Sequence, residues 1–289
     1  MTNLGPNARS HSGSAQSFHH RSPEYAGLLY SLEETFREKF NVRPSSSVLF
    51  LTGSGSLANE AVAASLTVPL YVSGVQYEFG SRLQRYLRAH DNLDDRVAGR
   101  HAWVGYETSA SLKMSGPPSA QFTFVDMVSA FPYYLPDPSW DIWTTVSSKQ
   151  LGALPVIGIV VVAERAWQHL LKESEAYSYL NLARYRAYQA LGQPPHTPAI
   201  PLLYDLLTTL SEFDRDVLVA QIDRRRSLLA EVVPPEHNIG KGPVFTIADV
   251  VRAEVVQRFG LYPGKNCWQV FLWSGEDDDY DELRRELQR

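Results

Sequence analysis

Lys149 stands in an unusual setting for a charged side chain. In the stretch 144–163 it follows Ser147 and Ser148, precedes Leu151, Gly152, Ala153, Leu154 and Pro155, and leads into a strand-like apolar run. Two readings are open. It is a loop lysine whose stem lies on apolar surface while its ammonium reaches water, or it is an amine whose pKa burial lowers so that it can attack a carbonyl, as lysines do in Schiff-base chemistry. Two further places carry groups of chemical interest. The run Gly53, Ser54, Gly55, Ser56 joins a short apolar strand at 48–51 to a helix starting near Ser56. Successive backbone amides at a helix start, with glycines allowing close approach, can bind a phosphate; glycine in such a turn also serves simply for positive φ. Phe122 to Asp126 reads as a buried strand that stops at an acid. Open α/β sheets put ligand-binding groups at the carboxyl ends of strands, and an acid there can equally be a turn residue or helix cap.

The elements that must position these groups follow from hydrophobic period. Residues 1–22 are rich in Ser, Asn, Gly and His without a period, and read as an N-terminal arm. Leu28, Leu29, Leu32, Phe36 and Phe40 recur at helical spacing with Glu33, Glu34, Arg37 and Glu38 between them, which predicts an amphipathic helix over 25–40. A strand is expected over 69–74, a helix over 79–90, and a strand-like segment over 101–109. Residues 166–191 look helical and rich in tyrosine, 192–201 breaks the chain, and 202–233 carries two helical patterns. The texture then changes to short strand-like pieces, 244–247 and 268–273, around helices at 247–259 and 278–287. This predicts a large domain over 23–212 and a small C-terminal α+β domain over 213–289.

Composition narrows the classes of function. Hydrophobic residues make up 44% of the 289 and charged residues 20%, and no apolar run approaches the roughly 20 residues that span a bilayer. A net charge of -5 gives no basic footprint for nucleic acid, and Arg224, Arg225 and Arg226 read as a solvated helix face. The single cysteine, Cys267, excludes an intramolecular disulfide, and no secretory signal is visible, so a cytoplasmic setting is expected. There is no P-loop, zinc spacing or nucleophile elbow.

Taken in order, the motifs resemble the class V aminotransferases, fold type I pyridoxal phosphate enzymes of the alanine-glyoxylate and 2-aminoethylphosphonate transaminase kind. HHRSPEY at 19–25 is similar to the family's HRxPEF, TGSGSLANEA at 52–61 to TGSGTxAxEA, and FGSR at 79–82 to an aromatic-Gly-x-Arg. YETSAS at 106–111 is similar to HxETSTG and VDMVSAF at 125–131 to VDAVSSF. SSKQLGALP at 147–155, followed by VVVAERAW, is similar to SQKxLGxPP followed by SERAW, and HTPAIPLLYDL at 196–206 to TPAVxLIYAL. The resemblance implies an α/β fold with a mostly parallel central sheet flanked by helices and a small C-terminal α+β domain. It also implies pyridoxal 5'-phosphate as cofactor. Lys149 would hold it as a Schiff base and shuttle the Cα proton; Asp126 would pair with the pyridinium nitrogen and keep it protonated. Phe79 would stack on the ring, and Thr108 would hydrogen-bond near the phenolic oxygen. The amides of Ser54, Gly55 and Ser56, with Ser147, would hold the phosphate. Thr197 would reach a neighbouring subunit's phosphate, which implies a homodimer with shared active sites.

Departures from the family leave the substrate open. Where the family carries a carboxylate-binding arginine in an RIGxxG strand, this chain has CWQVFLWSG, with Trp268, Gln269 and Val270 around that position. A neutral amide lacks both the charge and the fork of a guanidinium; Lys265, Arg21 and His20 are candidate substitutes, or the substrate is larger, neutral or differently charged at that end. The expected activity is amino transfer between a small-molecule amino substrate and an oxo-acid acceptor via a lysine aldimine. The alternatives are a pyridoxal phosphate-dependent lyase, decarboxylase or carbon–carbon bond-forming enzyme of a specialised pathway, in which the same cofactor breaks another Cα bond, and a degenerate binding protein.

Overall fold

The computed structural model describes residues 20–96, 98–117, 120–238, 240–248 and 251–289. The expected N-terminal arm lies, up to residue 19, outside the described residues. Helix α1 (Pro23–Phe40) begins where Ser22 accepts a hydrogen bond from the Tyr25 amide and Pro23 takes the first helical position, and ends at Asn41 in the left-handed region. Its buried face is Tyr25, Leu28, Leu29, Leu32, Phe36 and Phe40, as the period predicts. The chain continues through β1 (Ser47–Thr52), α2 (Gly55–Ser65), β2 (Tyr71–Val72), α3 (Glu78–Ala89), β3 (Arg100–Val104), β4 (Tyr106–Glu107), β5 (Leu112–Lys113), β6 (Phe122–Asp126), β7 (Ile142–Val146) and β8 (Ile157–Val162). Then come α4 (Leu182–Gln189), α5 (Ile200–Glu212), α6 (Arg215–Ala230), β9 (Val244–Ala248), α7 (Ala253–Phe259), β10 (Tyr262–Gly264), β11 (Cys267–Phe271) and α8 (Asp277–Leu287).

Six strands form the central sheet in the order β1-β8-β7-β6-β3-β2. The pairs β2 with β3, β3 with β6 and β6 with β7 are parallel, whereas β8 runs antiparallel to both its neighbours. Every residue of β6, β7 and β8 is buried, as strands covered on both faces require. One apolar cluster joins α1 and α5 to the sheet and runs on into the C-terminal elements; a second lies under α2, α3 and α4. A separate antiparallel sheet, β10-β11-β9, carries α7 and α8 nearby in sequence. No helix among the described residues is long and apolar enough to cross a membrane.

Three expectations are corrected. Residues 166–191 are mostly not α-helix: 3-10 turns occupy Glu164–His169 and Glu173–Glu175, and only Leu182–Gln189 is helical. Asn181 is the cause in part, because its side-chain amide donates to the carbonyls of Lys172 and Ala176 while its oxygen caps the Ala183 amide. The helix expected from 247 begins at Ala253, because β9 stays extended through Ala248 to pair with Cys267. The arginine run is no solvated face. Arg225 is 2% exposed and donates to the carbonyls of Leu272, Ser274 and Gly275 and to Asp277. Arg226 donates to Gly242 and Val244 carbonyls, and Arg224 to Asp277 is an exposed pair.

Arg225→Ala is therefore expected to strand several buried carbonyls and cost about 2–4 kcal/mol, whereas Arg224→Ala costs less than about 1 kcal/mol. Urea midpoints of the two variants, at unchanged slope, check this.

Candidate active site

The connection from β7 to β8 is closed on itself before it presents anything. Ser147 donates through its hydroxyl to the Leu154 carbonyl at 2.6 Å and accepts from the Ile157 amide, and the Gly152 amide returns to the Lys149 carbonyl at 3.2 Å. Asp205 of α5 accepts the Leu154 amide at 2.5 Å, which pins the loop to the helical layer. Lys149 itself has φ +55, in the left-handed region that few side chains other than Asn and Asp adopt readily. The loop geometry, rather than the residue's preference, sets that conformation.

Held this way, Lys149 keeps some surface open to a cavity while its amine is hemmed in by protein atoms. The amine donates to the Ser129 hydroxyl at 2.6 Å. Ser129 is fixed in turn by Gln150, which donates to the Ser129 carbonyl at 2.7 Å and accepts from the Tyr133 amide. Burial lowers the amine's pKa from 10.5 to about 8; Asp126 pulls it back up and the Arg82 guanidinium pushes it further down.

Asp126 ends β6 and is buried. One carboxylate oxygen accepts from the Val128 amide at 2.9 Å, the other from the Asn59 side-chain amide at 2.6 Å, and Asn59 is itself held by the Thr144 hydroxyl. Burial raises the carboxyl above its ordinary 3.8, with the Glu107 charge adding in the same direction, against the Val128 amide, Lys149 and Asn59. A carboxylate in this state is poised to accept a cationic partner.

The glycine-serine turn stands across the same cavity. Ser54 caps α2, its hydroxyl accepting the Leu57 amide, so the first amides of the helix face outward from its positive end. A Cβ at Gly55 would lie 2.6 Å from the Val128 side chain, so only glycine lets the helix start approach the Asp126 turn this closely. Phe79 and Thr108 form the opposite wall through a shared device. Glu107, 1% exposed, accepts the Phe79 and Gly80 amides at 3.1 Å each and the Ser109 amide and hydroxyl, thereby capping α3 from a distance. The Lys149 amine lies 5.9 Å and the Arg82 guanidinium 4.9 Å from the Phe79 ring centre.

A cavity of about 290 Å³ therefore brings together Ser54, Gly55, Ser56, Phe79, Asp126 and Lys149. Thr108 borders a second, adjoining space that also touches Phe79 and Lys149. Two expected site residues lie elsewhere. Ser147 is fully buried, its hydroxyl engaged within the loop, and it is Ser148 that lines the cavity. Thr197 is exposed and borders a different hollow with Tyr25, Tyr185 and Gln193. Asn59, Arg82 and Ser129 also line the cavity and were not singled out from sequence; each sits inside a motif whose other members were.

No family model matches the chain. A Methanocaldococcus jannaschii protein described as an uncharacterized aminotransferase is 36% identical over 72 residues, which is 24% of this chain and 19% of that protein's length. Among solved structures, a Thermus thermophilus aspartate aminotransferase of subgroup IV matches with a TM-score of 0.81 at 22% identity, over 99% of this chain and 97% of that one. Alanine-glyoxylate aminotransferase from Nostoc sp. gives 0.80 at 19% identity, over 99% and 93%. Ureidoglycine-glyoxylate aminotransferase from Bacillus subtilis gives 0.82 at 15%, over 99% and 91%. The chain has the fold of these aminotransferases, the expected α/β class with a mostly parallel sheet.

The lowered pKa predicts the reactivity of the amine. The neutral form is the nucleophile, so as pH rises through about 8 the fraction of reactive Lys149 rises and levels off, whereas an ordinary lysine gains reactivity only toward about 10.4. Labelling the cofactor-free protein with trinitrobenzenesulfonate across pH 6 to 10, with the modified lysine mapped by mass spectrometry, checks this.

Proposed function

We propose that the protein is a pyridoxal phosphate-dependent aminotransferase that moves an amino group between an amino compound and an oxo acid. The observation that carries this reading is a single cavity joining a helix N-terminus, a buried carboxylate and a desolvated lysine amine. The printed activities of proteins with the same fold support it.

The lining residues fit the cofactor part by part. The amides of Ser54, Gly55 and Ser56, with the Ser148 hydroxyl and the Arg82 guanidinium nearby, would hold the phosphate. Asp126 would take the ring nitrogen, whose positive charge relieves the cost of keeping that carboxylate buried. Phe79 would cover one ring face and Thr108 would meet the ring edge. When bound, the cofactor supplies the electron sink for a carbanion at the substrate's α-carbon. Lys149 would hold the cofactor and, at Nζ, would carry the α-proton. Burial already lowers that amine's pKa, which favours its neutral, proton-accepting form. Ser129 keeps the amine aimed, and the Asn59 amide keeps Asp126 from turning away. In this reading Ser147 supports the loop rather than the phosphate.

A homodimer is part of the proposal, with Thr197 contributing to the second copy's phosphate site, as are the division into 23–212 and 213–289 and a cytoplasmic setting.

Two outcomes follow for the purified protein. It should bind pyridoxal phosphate with a visible absorbance band, and borohydride reduction should fix the cofactor on Lys149; Lys149→Ala should keep the fold, still bind cofactor, and lose turnover. Turnover close to the parent in that variant overturns the reading, as does product formation with no conversion of the cofactor to its aminated form. Asp126→Asn should retain bound cofactor and slow the half-reaction by about 10²-fold to 10³-fold, as removals of a fixed electrostatic partner do.

A further inference from the structure

The second space beside Lys149 has a chemistry of its own. It measures about 710 Å³ against about 290 Å³ for the inner cavity, and shares Phe79 and Lys149 with it. That is room for a ligand much larger than alanine, within the usual range for drug-sized molecules. Tyr77, Phe79, Tyr262 and Phe271 are among its lining residues, and the last two rings meet edge to face at 5.8 Å. Its floor is neutral. Gln269, 2% exposed, donates its amide to the Thr108 carbonyl, and the Thr246 hydroxyl is engaged with Ser111. Among the described lining residues the charges besides Lys149 are Glu78, held by Arg82 at 2.9 Å, and Lys265, exposed on the turn between β10 and β11. Neither puts a cation on the floor.

We propose that the amino substrate carries a bulky, uncharged aromatic body that occupies this outer space, and that small or anionic side chains are poor substrates. This rests on the aminotransferase reading. An aromatic body gains edge-to-face contacts with the four rings beyond the burial of its own surface. An anionic side chain would instead meet the neutral, buried Gln269 and Thr246, with only the exposed Lys265 ammonium to offset its lost hydration, which is costly. The aromatic body can belong to an amino acid or to an amine without a carboxylate, and the test separates the two.

The full chain, loaded with pyridoxal phosphate, is mixed rapidly with L-phenylalanine, L-tryptophan and phenethylamine, and with L-alanine, L-aspartate and O-phospho-L-serine. Loss of the visible band is followed at several concentrations. The aromatic series is expected to react with a second-order rate constant at least about tenfold above the others. L-Phenylalanine against phenethylamine then tells whether the carboxylate is needed. Tyr262→Ala, at a half-exposed position where the fold is not at stake, is expected to narrow the aromatic-to-alanine ratio about threefold to tenfold. Faster reaction of aspartate or phosphoserine, no reaction with either series, or a ratio unmoved by Tyr262→Ala overturns the inference. Absence of the visible band and of borohydride fixation on Lys149 instead overturns the aminotransferase reading itself.

Discussion

The constraint on which the structure turns is the burial of one amine. A lysine nitrogen taken out of water loses hydration that a single hydroxyl cannot replace, and here the partner given to it is Ser129 at 2.6 Å. The chain meets this cost by building a rigid mount. Strand β8, antiparallel in an otherwise parallel sheet, brings the loop after β7 back across the sheet's end to the turn after β1. There the Val156 carbonyl accepts the Gly53 amide at 2.9 Å, and a Cβ at Gly158 would press within 3.0 Å of the Ser54 carbonyl. The lysine loop and the start of α2 are thus one unit, and the spacing between amine and helix N-terminus is fixed by backbone rather than by side chains.

Two buried acids divide the remaining electrostatic work. Glu107 has amides and a hydroxyl as partners, so its charge is spread over the N-terminus of α3 and the turn at Thr108–Ala110. Asp126 has a backbone amide and the Asn59 amide, with Lys149 within electrostatic reach. Glu107 therefore acts on structure, aligning Phe79 and Thr108 as a wall, and its charge raises the Asp126 carboxyl at a distance. Asp126 is the acid whose state a cation in the cavity would change.

Legibility in the sequence followed the range of the interactions. Helix α1, the strand-turn-helix at Gly53 to Ser56 and the strand ending at Asp126 were all readable, because period, capping and turn chemistry act over a few residues. Lys149 stood out because its neighbours are wrong for a solvated lysine. What could not be read depends on partners far along the chain. Arg225 is buried by carbonyls some fifty residues on, the stretch before Asn181 is shaped by the Ser65 hydroxyl, which donates to the Leu180 carbonyl, and by the Asn181 amide's bonds to the Lys172 and Ala176 carbonyls, and β9 runs on because β11 pairs with it. Between two adjacent serines, only the fold decides that Ser147 turns into the loop and Ser148 into the cavity.

The C-terminal sheet meets the turn at Thr108–Ser111 through two buried hydrogen bonds, one from Gln269 and one between Thr246 and Ser111. Gln269 of β11 donates to the carbonyl of Thr108, the residue next to Glu107, whose carboxylate also holds the Phe79 amide. A displacement of β11 would therefore reach Phe79 through Thr108 and Glu107 without passing through Lys149. Phe79 also lines the inner cavity, so that route meets it at one wall, whereas the spacing of Lys149 and the start of α2 is held by the backbone contacts at Gly53 and Gly158. Lys149 and Asp126 thus stand at the large sheet, whereas Tyr262, Gln269 and Phe271, which border the outer space, stand on the small one.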